Sequence, residues 1–198
     1  MDSHNQRLSA HVLDVADARP HHATDWERRT REWFQAQNLA GDRGEQWLRV
    51  RRHGRIDVLV NNAGRTHVGA VEETTDAELR SLFEVHFFGP AALVRAVIPH
   101  MRARGSGAIV QISSMGGQMS FAGFSAYSAT KFALEGLSEA LADETKAFGV
   151  KVLIVEPDAF RTSLFASGSE SAPSETYAGS VGQTRAISRR TSTPSAPT

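Results

Sequence analysis

From residue 56 to about residue 165, short apolar runs alternate with longer segments of helical periodicity, a pattern that few folds accommodate. Strand-length runs joined by helix-length crossovers are the mark of βαβ units around a parallel sheet, whose strands are covered on both faces. "RIDVLVNNAG" (55–64) supplies the first run at Ile56–Val60, ended by Asn61, Asn62 and Gly64, which tolerate turn geometry. Thr75 and Glu78 in "TDAE" have capping-box spacing, and Leu79, Leu82, Phe83 and Phe87 follow at helical intervals. A long helix is therefore predicted from there to Arg104, disturbed at Gly89 and Pro90. "GAIVQISS" (107–114) reads as a second strand, Ser125 to about Phe148 as a second long helix stopped by Gly149, and "VKVLIVEP" (150–157) as a third strand. The expectation is an α/β chain with three parallel strands and two crossover helices.

Composition narrows the partners. The 198 residues suffice for one core burying roughly 70% of the unfolded surface. Lys+Arg and Asp+Glu each total 22, so no broad basic field points to nucleic acid or an anionic membrane. Cysteine is absent, which removes disulfide and thiolate chemistry. No uncharged apolar run reaches the roughly 18 residues of a membrane span, and the first residues lack an apolar run of leader length. A soluble, cytoplasmic protein with a small-molecule partner is the expectation. The flanks differ from the centre: 18–53 holds Trp26, Trp33 and Trp47 among many arginines, and the last ten residues, 189–198, are predicted to be a disordered tail on a single domain spanning 1–188.

Within the second helix, "SAYSATKFALEGL" (125–137) places Tyr127 four residues ahead of Lys131, on one helical face. An ammonium beside a phenol favours the phenolate, so such a pair can handle a proton; it is also what an ordinary solvated i,i+4 pair looks like. Ser114 lies 13 residues upstream at the carboxyl end of its strand. Ligands bind at that end of a parallel sheet, although a serine there also serves as a turn cap. Asn61, Asn62, Ala63 and Gly64 follow the preceding strand at the equivalent end, so three segments converge on one edge.

"NNAG" (61–64), "ISS" with Ser114, "YSATK" (127–131) and "EPDAFRT" (156–162) stand in the order and near the spacing of the short-chain dehydrogenase/reductase family, which the chain resembles from about 54 to 165. The resemblance implies a partial Rossmann-like, doubly wound parallel sheet in three αβα layers. It implies a hydride transfer between NAD or NADP and a secondary alcohol or carbonyl substrate. By it Tyr127 is the general acid/base, Lys131 lowers the phenol's pKa and holds the nicotinamide ribose, and Ser114 polarises the substrate oxygen. Asn61, Ala63 and Gly64 shape the cofactor floor. Asp14 in "HVLDVAD" matches a residue at the adenine ring, and Pro157 and Thr162 match the segment passing the carboxamide. The two long helices correspond to those through which the family forms homodimers or homotetramers. "SESAPSETYAGSVGQTRA" (169–186) is similar to its substrate-loop region.

The departures are specific. His86 replaces the family's usual asparagine; it is either a part of the proton relay or a satisfied packing histidine. Asp158 replaces a glycine after Pro157. No G-x-x-x-G-x-G turn occurs in the first 60 residues, so the first βαβ unit and its pyrophosphate anchor are missing from the pattern. Between Asp14 and Asn61 lie 47 positions, roughly twenty more than the family's crossover, as an insertion or as unrelated sequence. Two functions follow: an NAD(P)-dependent oxidoreductase, or an inactive fragment or interaction protein that does not bind dinucleotide.

Overall fold

The structure, a computed structural model, describes residues 56–157 and 168–192. Asp14, Asp158, Thr162 and the segment 18–53 lie outside them. In chain order the elements are β1 (Val58–Asn61), β2 (His67–Val68), α1 (Asp76–Phe83), a π-helical turn (Glu84–Phe88) and α2 (Gly89–Arg104). They continue with β3 (Gly107–Ile112), a 3-10 turn (Met115–Gly117), α3 (Ser125–Lys146), β4 (Val150–Val155), β5 (Ser169–Glu170), a second 3-10 turn (Glu175–Tyr177) and α4 (Ala178–Ser192).

β1, β3 and β4 form one parallel sheet in that order, with Asn61 opposite Gln111 and Ile112 opposite Val155. The three expected strands thus pair as the alternation of runs requires, and their carboxyl ends share one edge. Buried Ile56, Leu59, Val94, Val97, Met101, Ile109, Leu141 and Val150 make the main core where α2 and α3 pack on the sheet. Coverage is incomplete at β4, where Lys151 and Leu153 share an exposed face and Leu153 is 56% exposed, so the expected burial on both faces does not extend to this strand.

The helix boundaries follow local chemistry. Thr75 and Glu78 close the capping box in both directions, at 3.2 Å and 2.8 Å. The expected disturbance near Pro90 takes the form of the π turn, in which the Gly89 N–H donates to the Glu84 carbonyl five residues back. Pro90 has no N–H to offer His86, so the α ladder cannot run through this point unchanged. The continuous helical stretch 76–104 is long and apolar enough by composition to cross a bilayer, but Val94, Val97 and Met101 turn its apolar side into the core. Gly105 and Gly149 end the two long helices in left-handed conformation, at φ 71° and 69°.

Two features were not foreseen. β2 and β5 pair in parallel as a separate two-stranded sheet, with Val68, Ala70 and Val181 as its own small core. The substrate-loop-like segment is thereby docked rather than loose. Its helix α4 continues to Ser192, so helix occupies the start of the stretch 189–198 that was expected to be disordered.

A Cβ on Gly149 would stand 2.3 Å from the Gly105 carbonyl oxygen, on a backbone that L side chains avoid. Gly149→Ala should therefore lower unfolding free energy by at least about 1–3 kcal/mol. Gly136 lies exposed in α3 with nothing near its missing Cβ, and Gly136→Ala should stabilise by about 0.5–1 kcal/mol. Urea unfolding of the two variants checks the opposite signs.

Candidate active site

Ser114, the residue just past the β3 edge, has extended backbone (φ −171°, ψ 160°) and accepts a hydrogen bond from the Gly116 N–H at 3.1 Å. It is thus a turn cap, one of its two possible roles. The Tyr127 ring edge lies against Gly116, the residue that Ser114 caps, so capping holds the Ser114 hydroxyl near the phenol. Tyr127 lies in the first turn of α3, buried to 7% exposure against Phe124 and edge-on to His86 at 5.5 Å between ring centres.

Lys131 is 4% exposed. Its Nζ donates to the Ile112 carbonyl at 2.9 Å and stands 5.8 Å from the centre of the Tyr127 ring. Tyr127, Lys131 and Ser114 are therefore brought together as the resemblance implies. The electrostatics differ from the simple expectation. Burial pushes the Tyr127 phenol up, with the Ser114 hydrogen bond opposing, and burial draws Lys131 down to about 8 against the pull of Glu135. Desolvation disfavours the charged form of both groups. Around neutral pH the site holds a protonated phenol, which suits a proton donor.

His86 is 1% exposed, and both ring nitrogens are engaged. The Arg65 N–H donates to Nε2 at 3.2 Å, which leaves the proton on Nδ1, 2.8 Å from the Thr130 hydroxyl; Thr130 donates in turn to the Tyr127 carbonyl at 2.6 Å. Burial, with Lys131 and Arg65 nearby, draws its pKa down to about 3. This histidine is a neutral bracket between the loop after β1 and the first turn of α3. The geometry favours the packing alternative over a proton relay through the ring.

Asn61 turns inward: its Nδ2 donates to Gln111 Oε1 at 2.7 Å, tying β1 to β3 side chain to side chain. Ala63 and Gly64 follow it at the sheet edge, Ala63 exposed and Gly64 half-buried. Pro157 lies just beyond β4 at the same edge. Sequence reasoning missed Thr130, the link between His86 and Tyr127, although its place three residues after Tyr127 on the helix was legible. It also missed the fastening of α4: Arg185 pairs with Glu73 at 2.7 Å, and His67 sits between the Ser169 and Ser171 hydroxyls at 2.9 Å each.

The buried His86 carries a pH signature. Its folded pKa lies below the unfolded value of 6.5, so below pH 6.5 the unfolded chain takes up a proton that the folded chain refuses. Stability should fall as pH drops from 6.5 toward 3, by at most about 1.4 kcal/mol per unit from this group. His86→Gln should flatten that slope in denaturant titrations run at successive pH values; an unchanged slope contradicts the assignment.

Residues 45–172 match the family described as short chain dehydrogenase. Among curated proteins, the oxidoreductase claN of Passalora fulva is 43% identical over 133 residues, covering 67% of this chain and 61% of that protein. The 3-ketodihydrosphingosine reductase of Bacteroides thetaiotaomicron is 45% identical over 113 residues, 57% of this chain and 42% of that one. Among solved structures, a short-chain dehydrogenase from Streptomyces avermitilis superposes with TM-score 0.70 at 58% identity, over 81% of this chain and 58% of that chain. A metagenomic short-chain oxidoreductase solved with NADP gives 0.55 at 33% identity, over 71% and 58%. The chain spans about half the length of the first curated relatives it matches, 46% for two oxidoreductases of Schizosaccharomyces pombe. With the matched region covering more than half of its residues and the serine, tyrosine and lysine meeting at the sheet edge, this chain belongs to the short chain dehydrogenase family.

Proposed function

We propose that the chain is the catalytic part of an NAD(P)-dependent oxidoreductase that interconverts a carbonyl and a secondary alcohol. The observation that carries this reading is the gathering of Ser114 and the buried Tyr127 around Gly116 at the carboxyl edge of the sheet, with the Lys131 ammonium buried beside them. In carbonyl reduction, Ser114 orients the substrate oxygen, Tyr127 gives it a proton, and Lys131 stabilises the phenolate left behind. The nicotinamide, when bound, supplies or accepts the hydride. Lys131 fits a ribose contact, because the Ile112 carbonyl uses one of its three donors. A raised phenol pKa favours reduction over oxidation near neutrality. Relatives solved with NADP support the cofactor class.

The substrate we propose is neutral and largely apolar beyond its reacting group. From Gly105 to Thr130 the sequence has no charged residue or histidine, and Met115, Met119 and Phe121, on the stretch that follows Ser114, are 47%, 49% and 50% exposed. An ionic substrate would find no counter-charge on this stretch.

The second reading is an inactive relative that does not hold dinucleotide, favoured by the lack of a G-x-x-x-G-x-G turn in the first 60 residues. Turnover separates the two. Tyr127→Phe should cut NADPH-dependent reduction of a neutral methyl ketone by about 10²–10⁴-fold while cofactor affinity stays within about twofold. Turnover equal to that of the unaltered chain would refute the acid role. The reduction rate should also fall above pH 8, where Lys131 loses its charge and the phenolate its stabilising cation. A rate that continued to rise there would contradict the role given to Lys131.

A further inference from the structure

Helix α3 buries a polar stripe: Ser128, Lys131, Glu135 and Ser138 recur at intervals of three and four residues and are 2%, 4%, 5% and 0% exposed. Apolar side chains are the rule on a core-facing helix, and a buried carboxylate without partners is costly. Ser138 satisfies itself on the Leu134 carbonyl at 2.6 Å, and Lys131 on Ile112. Glu135 does neither: its Oε1 is buried with no hydrogen-bond partner in the protein, and the same holds for the Ser113 and Ser128 hydroxyl oxygens.

These three oxygens gather around the Gly116–Gly117 turn. A Cβ on Gly117 would lie 2.8 Å from Ser113 Oγ and 2.9 Å from Glu135 Oε1, so both oxygens crowd the same side of that glycine without bonding to each other. A Cβ on Gly116 would lie 3.0 Å from the Tyr127 ring edge and 3.4 Å from Ser128 Oγ. Glycine at both positions lets these side chains pack directly on the turn, which brings their unpaired oxygens into one neighbourhood. Two to four polar partners are what a structural water requires.

We propose that Ser113, Ser128 and Glu135 enclose a buried water site against the Gly116–Gly117 turn, and that Glu135 is the positioning residue that keeps the neighbouring Lys131 charged and in place. This rests on the role assigned to Lys131 above. The titratable groups facing Lys131 are Tyr127 and Glu135 of its own helix and His86 of the π turn, which burial holds neutral. β3 and the Met115–Gly117 turn have no titratable residue, and Lys151 of β4 is exposed. Glu135 is thus the group that counters the desolvation of the ammonium. It touches neither the phenol nor the substrate oxygen in this reading, and acts through the lysine.

The test needs neither cofactor nor turnover, so its outcome is independent of whether the chain reduces a ketone. With three lysines in the chain, the Lys131 Nζ and Cε resonances of labelled full-length protein can be assigned and titrated. In Glu135→Gln the Lys131 midpoint should drop by about one pH unit or more below its value in the unaltered protein, and Glu135→Asp should recover part of that drop. A merely structural role would leave the midpoint where it was. In the unaltered protein, the Glu135 carboxyl carbon should show a second inflection at the pH where Lys131 titrates, which reads the coupling even if the glutamine variant does not fold. A long-lived water should also give cross-peaks to the Gly117 α-protons. An unshifted Lys131 in a folded Glu135→Gln, a Glu135 carbon silent through the lysine titration, or the absence of the water cross-peak would each overturn the proposal.

Discussion

The parallel register of β1, β3 and β4 is the constraint on which the site depends. Because Asn61 stands opposite Gln111 and Ile112 opposite Val155, the three strands release their chains at one edge. The loops that leave there carry the asparagine–glycine turn, Ser114 and Pro157. The crossover after β3 then has to return over the sheet, and the first turn of α3 delivers Tyr127 and Lys131 to the same edge. A one-residue slip of β3 would turn Ile109 and Gln111 out of their places and carry Ser114 away from the phenol. The side-chain bond from Asn61 to Gln111 adds a polar lock on that register within the sheet.

Burial then sets the chemistry. The phenol, the ammonium and the imidazole are each pushed toward their neutral forms by the loss of solvent; Ser114 opposes this for Tyr127 and Glu135 for Lys131, while the Arg65 N–H, donating to Nε2, suits the neutral form of His86. His86 and Thr130 join the loop after β1 to the first turn of α3, so the tyrosine's backbone is held by a chain of hydrogen bonds that starts at Arg65 in that loop. The loop after Ser114 exposes Met115, Met119 and Phe121.

The strands and long helices were legible because their signals are local. Apolar run length gave β1, β3 and β4, the Thr75–Glu78 spacing gave the start of α1, and Gly149 gave the stop after α3. The meeting of Ser114 with Tyr127 was legible once both were placed on one edge. The π turn was half legible: Pro90 announced a disturbance but not its form, which depends on where the ladder finds its next donor. The two-stranded sheet of β2 and β5 was not legible, because strands of two residues have no period, and the pairing of His67–Val68 with Ser169–Glu170 spans a hundred residues of chain. Nor did the Tyr–Lys spacing reveal that burial raises the phenol's pKa. That shift belongs to the packed state. Glu135 could have been read from the sequence, since its spacing from Ser128 and Lys131 is helical, but an acidic residue on a helix ordinarily signals the solvent side.

The central claim is that this edge of the sheet receives the nicotinamide end of a dinucleotide beside Tyr127 and Lys131. Calorimetric titration of the chain with NADPH and NADH tests it most directly. The account predicts saturable binding of at least one of them, weakened about tenfold or more in Lys131→Met by loss of charged hydrogen bonds to the ribose. No saturable binding up to millimolar cofactor, or binding indifferent to Lys131, would contradict it.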